Sequence, residues 1–251
     1  MHCCFGDIMN YSIVDYETYW RSEGKLGNLD VLIQLFNEVC DTYRAVLFPP
    51  SADIQPKNKE LAEALSEYQS KDRFIPCAYI NPTLYSAVDE LDTAIKTYGF
   101  HGMKLMPTIH RYNIDSHLVD PVMSKCHELK IPVTIHSSGE GGYPQLIGQL
   151  ARRFPEVPII MDHSGYRYFQ RQALQAGKDN DNLYFGTSCV IEPTYIDRIA
   201  HEIGVDKIIY GSNAQGGIPK IGLMVFEYTH LSEAEKSMAL GQNLLKLLRM
   251  N

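Results

Sequence analysis

The sequence predicts an α/β fold, a single (β/α)8 barrel spanning residues 1–251, and two observations support it. Seven short, apolar runs recur along the chain, and their first residues are 30, 26, 32, 26, 24 and 25 positions apart. A strand with its loop and crossover helix needs about 30 residues. The runs are nearly continuous in hydrophobicity, as is typical of parallel strands covered on both faces. Even spacing without a linker favours one closed barrel over a two-domain doubly wound sheet.

The elements follow from these runs. The predicted strands lie at 44–51, 74–82, 100–107, 132–138, 158–165, 182–188 and 207–213. Helical patterns lie at 29–43, 58–68, 85–98, 119–129, 146–154, 195–203 and 232–248. Ser232 and Glu235 form a predicted capping box at the start of the last helix.

The first strand has to be inferred, because a helix precedes the seven repeating units. Only residues 1–5 are left for it, so the sequence predicts a truncated first strand. An incorrectly placed start would leave the same stub, and both interpretations stay open. Residues 6–27 are then the longest loop, rich in aromatic residues that include Trp20. Such a loop is expected to be a functional lid.

Composition excludes several function classes. The net charge is −7 and no basic run is present, which disfavours nucleic-acid binding. No apolar run reaches the roughly 18 residues of a membrane span, and the first residues lack the pattern of a signal peptide. The six scattered cysteines are typical of free thiols in the cytoplasm.

The expected partner is a small-molecule substrate. Barrels of this kind often form homodimers, although the sequence leaves the oligomeric state open.

Candidate functional residues cluster at the predicted strand ends, where barrels carry their chemistry. His2, His136 and His163 end three different strands and are expected to converge on one mouth. Imidazoles from separate strands suit a divalent metal, zinc above all. The alternative is a set of structural histidines at strand termini.

Taken together, these motifs resemble the amidohydrolase superfamily, in particular its amidohydrolase-2 branch of decarboxylases and lactonases. The resemblance covers nearly the whole chain. It rests on the runs HCCFGD, GFHGMKLMP, VTIHSSG, IIMDHSG, IIYGSNA and LSEAEKSMALGQNLLKLL in that order.

The resemblance implies a metal held by two first-strand histidines, a strand-5 histidine and a strand-8 aspartate. His2 matches the first of these positions and His136 the third, while His163 matches the strand-6 acid or base. Cys4 stands at the second ligand position and Asn213 at the aspartate position. A thiolate can still bind zinc. An amide cannot take the proton of a metal-bound water, so we expect a weakly held or absent metal and impaired water activation.

Further residues are predicted to contact the substrate. Lys104 ends strand 4 and is expected to bind a carboxylate or oxyanion, with structural and metal-bridging roles as alternatives. Arg111, Trp20 and Ser188 complete the predicted substrate lining. Asp162 is expected to face the helices, because neighbouring side chains alternate along a strand and His163 faces the mouth.

The leading hypothesis is an enzyme that hydrolyses C–N or C–O bonds, or decarboxylates, a small organic acid, amide or lactone. His163 and Asn213 are its predicted catalytic residues, and His2, Cys4 and His136 are its predicted metal ligands. One rival is a metal-independent, lactonase-type hydrolase. The other is a non-catalytic binding protein on the same fold.

Overall fold

The computed structural model describes residues 11–22, 24, 26–50, 54–137 and 139–250. The strands in chain order are β1 (Val14–Tyr19), β2 (Arg44–Phe48), β3 (Phe74–Pro76), β4 (Ala78–Tyr79), β5 (Met103–Leu105), β6 (Val133–His136), β7 (Ile159–Asp162), β8 (Leu183–Gly186) and β9 (Ile208–Ile209). The helices are α1 (Leu29–Asn37), α2 (Asn58–Glu67), α3 (Ala87–Lys96), α4 (Pro107–His110), α5 (Asp120–Leu129), α6 (Pro144–Arg153), α7 (Gln170–Asp179), α8 (Pro193–Glu202), α9 (Pro219–Glu227), α10 (Glu233–Ser237) and α11 (Asn243–Leu247). Within these ranges, no helix is long and apolar enough to cross a lipid bilayer.

The strands are parallel and follow chain order, in one sheet of β1-β2-β3 and one of β4-β5-β6-β7-β8-β9. β3 and β4 are two pieces of one extended segment, interrupted only at Cys77. The ends of the sheet meet, because the Tyr16 amide donates to the Tyr210 carbonyl (3.0 Å) and the Tyr19 amide to the Ala214 carbonyl (2.8 Å). Eight strand positions with helices between them form a (β/α)8 barrel, as the sequence predicts.

The first strand differs from the prediction. The predicted stub at residues 1–5, with His2 and Cys4, lies outside the described residues. The strand that pairs with β2 is β1, inside the segment predicted to be a loop. Its sequence VDYETY carries two acidic residues, so it lacks the apolar pattern that marks the other strands. Both acidic side chains are nevertheless fully buried, because specific partners inside the fold neutralise them or bond to them.

The two faces of the barrel wall have separate cores. Alternate strand residues such as Ala45 and Leu47 pack with the helices, whereas Val46 and Phe48 belong to an inner cluster. Leu244 and Leu248 from the last helical segment join that inner cluster. The same alternation places Lys104, His136 and Asp162 on the inner side of their strands, since their sequence neighbours pack with the helices.

A bulge in β1 changes which residues face inward. Asp15 pairs with Ala45 and Thr18 with Leu47, so three steps along β1 match two along β2. A bulge of this kind re-aims side chains. As a result, both Tyr16 and Glu17 reach inner-side groups, whereas Asp15 bonds to residues of the outer layer.

The C-terminal helical segment begins as predicted. Ser232 Oγ accepts from the Glu235 amide (3.4 Å), and a Glu235 carboxylate oxygen accepts from the Ser232 amide (2.8 Å). This confirms the capping box. A π-helical turn, Met238–Gln242, joins α10 to α11. A close approach occurs at Gly241 in this turn, where a Cβ would lie 2.1 Å from the Ser12 carbonyl oxygen.

Candidate active site

A cavity of about 410 Å³ opens at the carboxyl ends of the strands. Its size is within the range of pockets that hold small organic ligands. Aromatic, apolar and polar side chains share the lining. The lining residues are Glu17, Tyr19, Trp20, Arg21, Pro50, Met106, His136, His163, Asn213, Gln215 and Gly216.

A buried ion cluster lies beneath this cavity. The Lys104 ammonium contacts Glu17 Oε1 and lies 2.9 Å from Asp162 Oδ2. It also lies 5.0 Å from the Tyr19 ring centroid and 5.1 Å from that of Phe48, as a cation–π donor. Burial alone would lower the pKa of Lys104, but Asp162 and Glu17 raise it above its usual value. Lys104 is therefore a charged, fully buried partner of two carboxylates, an arrangement that favours the structural role among the alternatives that the sequence left open.

Asp162 connects the cluster to the ends of strands β7 and β8. Its Oδ1 accepts from the Tyr16 hydroxyl and from Ser188 Oγ (2.9 Å). Burial would raise the pKa of Asp162, but His163 and Lys104 hold it well below its usual range. The expectation that Asp162 faces the helices is wrong. β7 ends at this residue and His163 has a φ of +57°, so strand alternation does not extend to His163.

The His163 imidazole lies next to this carboxylate. Its Nδ1 lies 2.8 Å from Ser188 Oγ, 3.3 Å from Asp162 Oδ1 and 3.9 Å from Glu17 Oε2. Burial would lower the pKa of His163, yet Asp162 and Glu17 raise it to about 10. Hydrogen bonding on one ring nitrogen fixes the orientation of the imidazole. His163 can therefore hold and release a proton at the cavity.

His136 completes a group of possible metal donors. Its ring lies perpendicular to that of His163, with centroids 4.9 Å apart. Donor atoms of His136, Asp162 and His163 all lie within 4.8 Å of one another. Glu17 Oε2 is buried near them and accepts no hydrogen bond from any described residue. An unpartnered buried carboxylate oxygen is costly unless a cation or donor completes it.

Asn213 also lines the cavity. Its Nδ2 lies 3.5 Å from the Cys189 sulfur. Both residues have positive φ, +58° and +61°, a conformation that asparagine tolerates better than most residues. Cys189 interacts in turn with His163. Asn213 is thus close to His163 through a single intervening thiol.

The other residues predicted to contact the substrate lie in different parts of the structure. Trp20 is buried in the cavity wall, and its indole donates to the Leu26 carbonyl (3.1 Å). Ser188 is fully buried, hydrogen-bonds to Asp162 and His163, and does not itself line the cavity. Arg111 lines a different cavity, of about 500 Å³, with Tyr112 and Glu140.

Sequence reasoning missed Glu17 and Arg21 as parts of the site. Arg21 lines the cavity and makes no ion pair with any residue in the described part of the chain. Its amide donates to Asn28 Oδ1 (2.8 Å), and Asn28 Nδ2 donates to the Tyr19 carbonyl (3.1 Å). The available signal was the alternation D-x-E-x-Y in an otherwise aromatic segment, which places Asp15, Glu17 and Tyr19 two residues apart.

Comparisons with solved structures show the same fold. A TIM-barrel protein of Bordetella bronchiseptica superposes with a TM-score of 0.78 at 16% identity, covering 94% of this chain and 98% of that chain. A 2,6-dihydroxybenzoate decarboxylase from Rhizobium gives 0.72 at 16% identity, covering 95% and 99%. A dihydroxybenzoic acid decarboxylase from Polaromonas, with bound manganese and the inhibitor 2-nitroresorcinol, gives 0.73 at 18% identity, covering 95% and 97%.

Sequence comparison gives the family. A search of curated proteins returned no significant match. The sequence profile of the amidohydrolase family, by contrast, matches residues 52–250, well over half of the chain. The match begins after β2 and does not include β1. The chain therefore belongs to the amidohydrolase family, as its motifs indicate.

Proposed function

We propose that this protein is an enzyme that hydrolyses or decarboxylates a small organic acid, amide or lactone in the 410 Å³ cavity. One observation carries the proposal. His163 lies on the cavity with its Nδ1 oriented by Ser188 and Asp162, beside a carboxylate oxygen of Glu17 that has no hydrogen-bond donor. An imidazole that is held in one orientation at a cavity can act as a general acid or base. Family membership and the decarboxylase neighbours support the same class of reaction.

The donor set fits a divalent cation. In the proposal, His136, Asp162 and Glu17 would hold it, and His163 stays beside it as the proton carrier. Imidazole nitrogens and carboxylate oxygens suit both zinc and manganese, and the Polaromonas enzyme binds manganese. When bound, such a cation would polarise a carbonyl or lower the pKa of a water. His2 and Cys4, the other predicted ligands, lie outside the described residues.

The substrate in this proposal is small and anionic. Arg21 supplies a guanidinium without an acidic partner among the described residues, and Trp20 and Met106 supply apolar walls. A guanidinium binds a carboxylate in two parallel hydrogen bonds. Arg21 therefore takes the anion-binding role that the sequence assigns to Lys104 and Arg111.

The order of events follows from these positions. Arg21 binds the anionic group of the substrate at the rim and thereby orients the reacting carbon toward the floor. His163, which its pKa of about 10 keeps protonated, then delivers the proton. In a decarboxylation the carbon takes this proton as its bond to the carboxylate breaks and carbon dioxide leaves. In a hydrolysis the leaving nitrogen or oxygen takes it while a water attacks the carbonyl carbon, and the proton that this water releases returns to the imidazole, which Ser188 keeps in place. Asn213 can donate its amide hydrogens to a developing oxyanion, because an amide is a donor that needs no proton transfer. In this assignment Asn213 stabilises charge and does not act as a base.

Replacement of His163 tests the proposal. We would compare the wild type, His163→Ala and His230→Ala on 2,6-dihydroxybenzoate and on panels of small amides and lactones. His230 is an exposed histidine that pairs with Asp197 (2.7 Å) and serves as the matched control. Loss of a general acid or base lowers turnover by about 10²–10⁴-fold. Unchanged turnover in His163→Ala would contradict the assignment, and no turnover of any compound by the wild type would favour the binding-protein alternative.

Metal-independent hydrolysis is a second candidate, favoured by the Lys104 ammonium between Glu17 and Asp162. Elemental analysis for zinc and manganese, before and after chelation, separates the two. We also propose that the protein is cytoplasmic, that it forms a homodimer, and that residues 1–251 form a single domain. The described cysteines Cys40, Cys77, Cys126 and Cys189 are free thiols, consistent with the predicted reducing compartment.

A further inference from the structure

The position of Lys104 sets a limit on how strongly the site can bind a metal. Glu17 and Asp162 supply the carboxylates at the floor of the cavity, and one oxygen of each is already in contact with the Lys104 ammonium. Lys104 and both carboxylates are buried to within 1% of full burial. The His163 ring lies against the same two carboxylates, with Nδ1 3.3 Å from Asp162 Oδ1 and 3.9 Å from Glu17 Oε2, so the ammonium and the imidazole together already face both acidic groups.

We infer that Lys104 is a built-in counter-cation that competes with a divalent ion for Glu17 and Asp162 and keeps the metal affinity of this site low. The inference rests on the metal centre proposed above. It concerns metal affinity alone and does not depend on which reaction the enzyme catalyses.

The geometry makes the competition direct. The ammonium is held between the two acidic groups by contacts to one oxygen of each, and the rings of Tyr19 and Phe48 cover it. An ion bound to the other oxygens would therefore share both carboxylates with a like charge a few ångströms away. In a region of low effective dielectric, such repulsion lowers affinity strongly.

Removal of the ammonium should leave Glu17 and Asp162 more available to a metal ion. Lys104→Met retains the length and apolar stem of the side chain and removes the ammonium from Glu17 and Asp162, which keep the more distant contacts to His163. Buried carboxylates that lose a charged partner destabilise the fold, and a divalent ion bound to their oxygens relieves this cost. The variant should bind a metal more tightly and depend on it for stability.

The experiment measures metal binding and thermal unfolding on the purified full-length protein. Mn²⁺ and Zn²⁺ alone are the probes, added to chelator-treated wild type, Lys104→Met and Lys104→Gln. We expect both variants to bind Mn²⁺ on the order of a hundredfold more tightly than wild type. Each metal should also raise their unfolding temperature more than that of the wild type, by the linkage between binding and folding.

Lys125→Met is the matched control. Lys125 pairs on the surface with Glu128 (2.8 Å) and Asp92 (3.4 Å), so the same chemical change there should leave metal affinity unchanged. Equal or weaker metal binding in both Lys104 variants overturns the inference, as does an equal gain in Lys125→Met. A Lys104 variant that unfolds without metal supports the inference if Mn²⁺ restores a cooperative transition, and counts against it if no metal does so.

This outcome is separable from the test of function. Absence of metal binding in every variant overturns the inference, and His163-dependent turnover would then still support the metal-independent enzyme. Metal binding that follows the expected order with no turnover would support the inference and contradict the proposed reaction.

Discussion

The two sides of the first strand carry two carboxylates with opposite environments. On the outer side, Asp15 Oδ1 accepts from the amides of Glu17 (2.9 Å) and Ser212 (2.9 Å). Its Oδ2 accepts from the Tyr43 hydroxyl (2.7 Å) and the Ser212 hydroxyl. On the inner side, Glu17 has one oxygen without a donor among the described residues. The two carboxylates therefore differ in how completely their oxygens are hydrogen-bonded, and not in burial, since both side chains are fully buried.

Asp15 also connects the first strand of the barrel to the segment that follows the last strand. Ser212 follows the last strand, so the bonds from its amide and hydroxyl join the two ends of the sheet. Burial raises the pKa of Asp15 to about 6, although its four donors act in the opposite direction. The proposed ligand Glu17 thus lies two residues from the carboxylate that joins the first and last strands.

The largest effect is expected from Asp15→Ala. This change leaves four donors without their acceptor at the seam of the barrel, and breaking a buried polar network of this kind costs about 3–5 kcal/mol. Urea denaturation followed by circular dichroism would measure the free energy of unfolding. A loss below about 1 kcal/mol would show that the seam does not depend on Asp15.

Glu17→Gln should destabilise the fold less than Asp15→Ala and should lower the metal affinity of the proposed site more. The amide retains the shape and can still accept from Lys104, but it removes the charge that faces the cavity. We expect Mn²⁺ affinity to fall about 10- to 100-fold, the usual range when a metal-site carboxylate partner is lost. Titration with Mn²⁺ would measure it. If Asp15→Asn weakened metal binding equally, the contrast between the two sides of β1 would fail.

Asn213→Asp should raise the metal affinity of the proposed site at the cavity about tenfold, which corresponds to about 1.4 kcal/mol. It adds a carboxylate at the cavity, and aspartate also tolerates the positive φ of this position. Competition with a chelator of known affinity provides the measurement. Asp206→Asn, at an exposed aspartate outside the cavity lining, is the control that should change nothing. Unaltered metal affinity in Asn213→Asp would mean that the cavity has been repurposed.

The smallest effect is expected at the surface. Lys178 pairs with Glu202 (2.7 Å) while its side chain is 45% exposed. Solvent-exposed pairs contribute little, so Lys178→Ala should change the free energy of unfolding by less than about 0.5 kcal/mol. Urea denaturation of this variant measures how much a solvent-exposed ion pair contributes to the free energy of unfolding, for comparison with the buried hydrogen bonds of Asp15. A loss as large as that of Asp15→Ala would show that burial does not make the Asp15 bonds more important than an exposed pair.

Most strands could be predicted from the sequence because they are apolar on both faces. β1 could not, since its buried acidic residues have the composition of a loop and become compatible with a strand only through distant partners such as Tyr43 and Lys104. With the segment before the helix at 29–43 interpreted as a loop, the sequence left only residues 1–5 for the first strand.

The predicted convergence of His136 and His163 agrees with their positions side by side at the cavity, whereas their roles as metal ligand and proton carrier stay predictions. Prediction of orientation failed at Asp162, because a positive φ at the next residue interrupts the alternation. The bulge in β1 has the same effect on Glu17, and bulges have no sequence pattern of their own. The side-chain roles depended on these local departures from regular geometry.

Trp20 gives the protein an optical reporter at the place of interest. It is the only tryptophan in the 251 residues. Its indole is only 2% exposed and belongs to the cavity wall, with its ring nitrogen bonded to the Leu26 carbonyl. Emission from this tryptophan, excited at a wavelength that tyrosine does not absorb, therefore monitors the cavity without a label, and a ligand that enters the cavity should change its intensity before any product is formed.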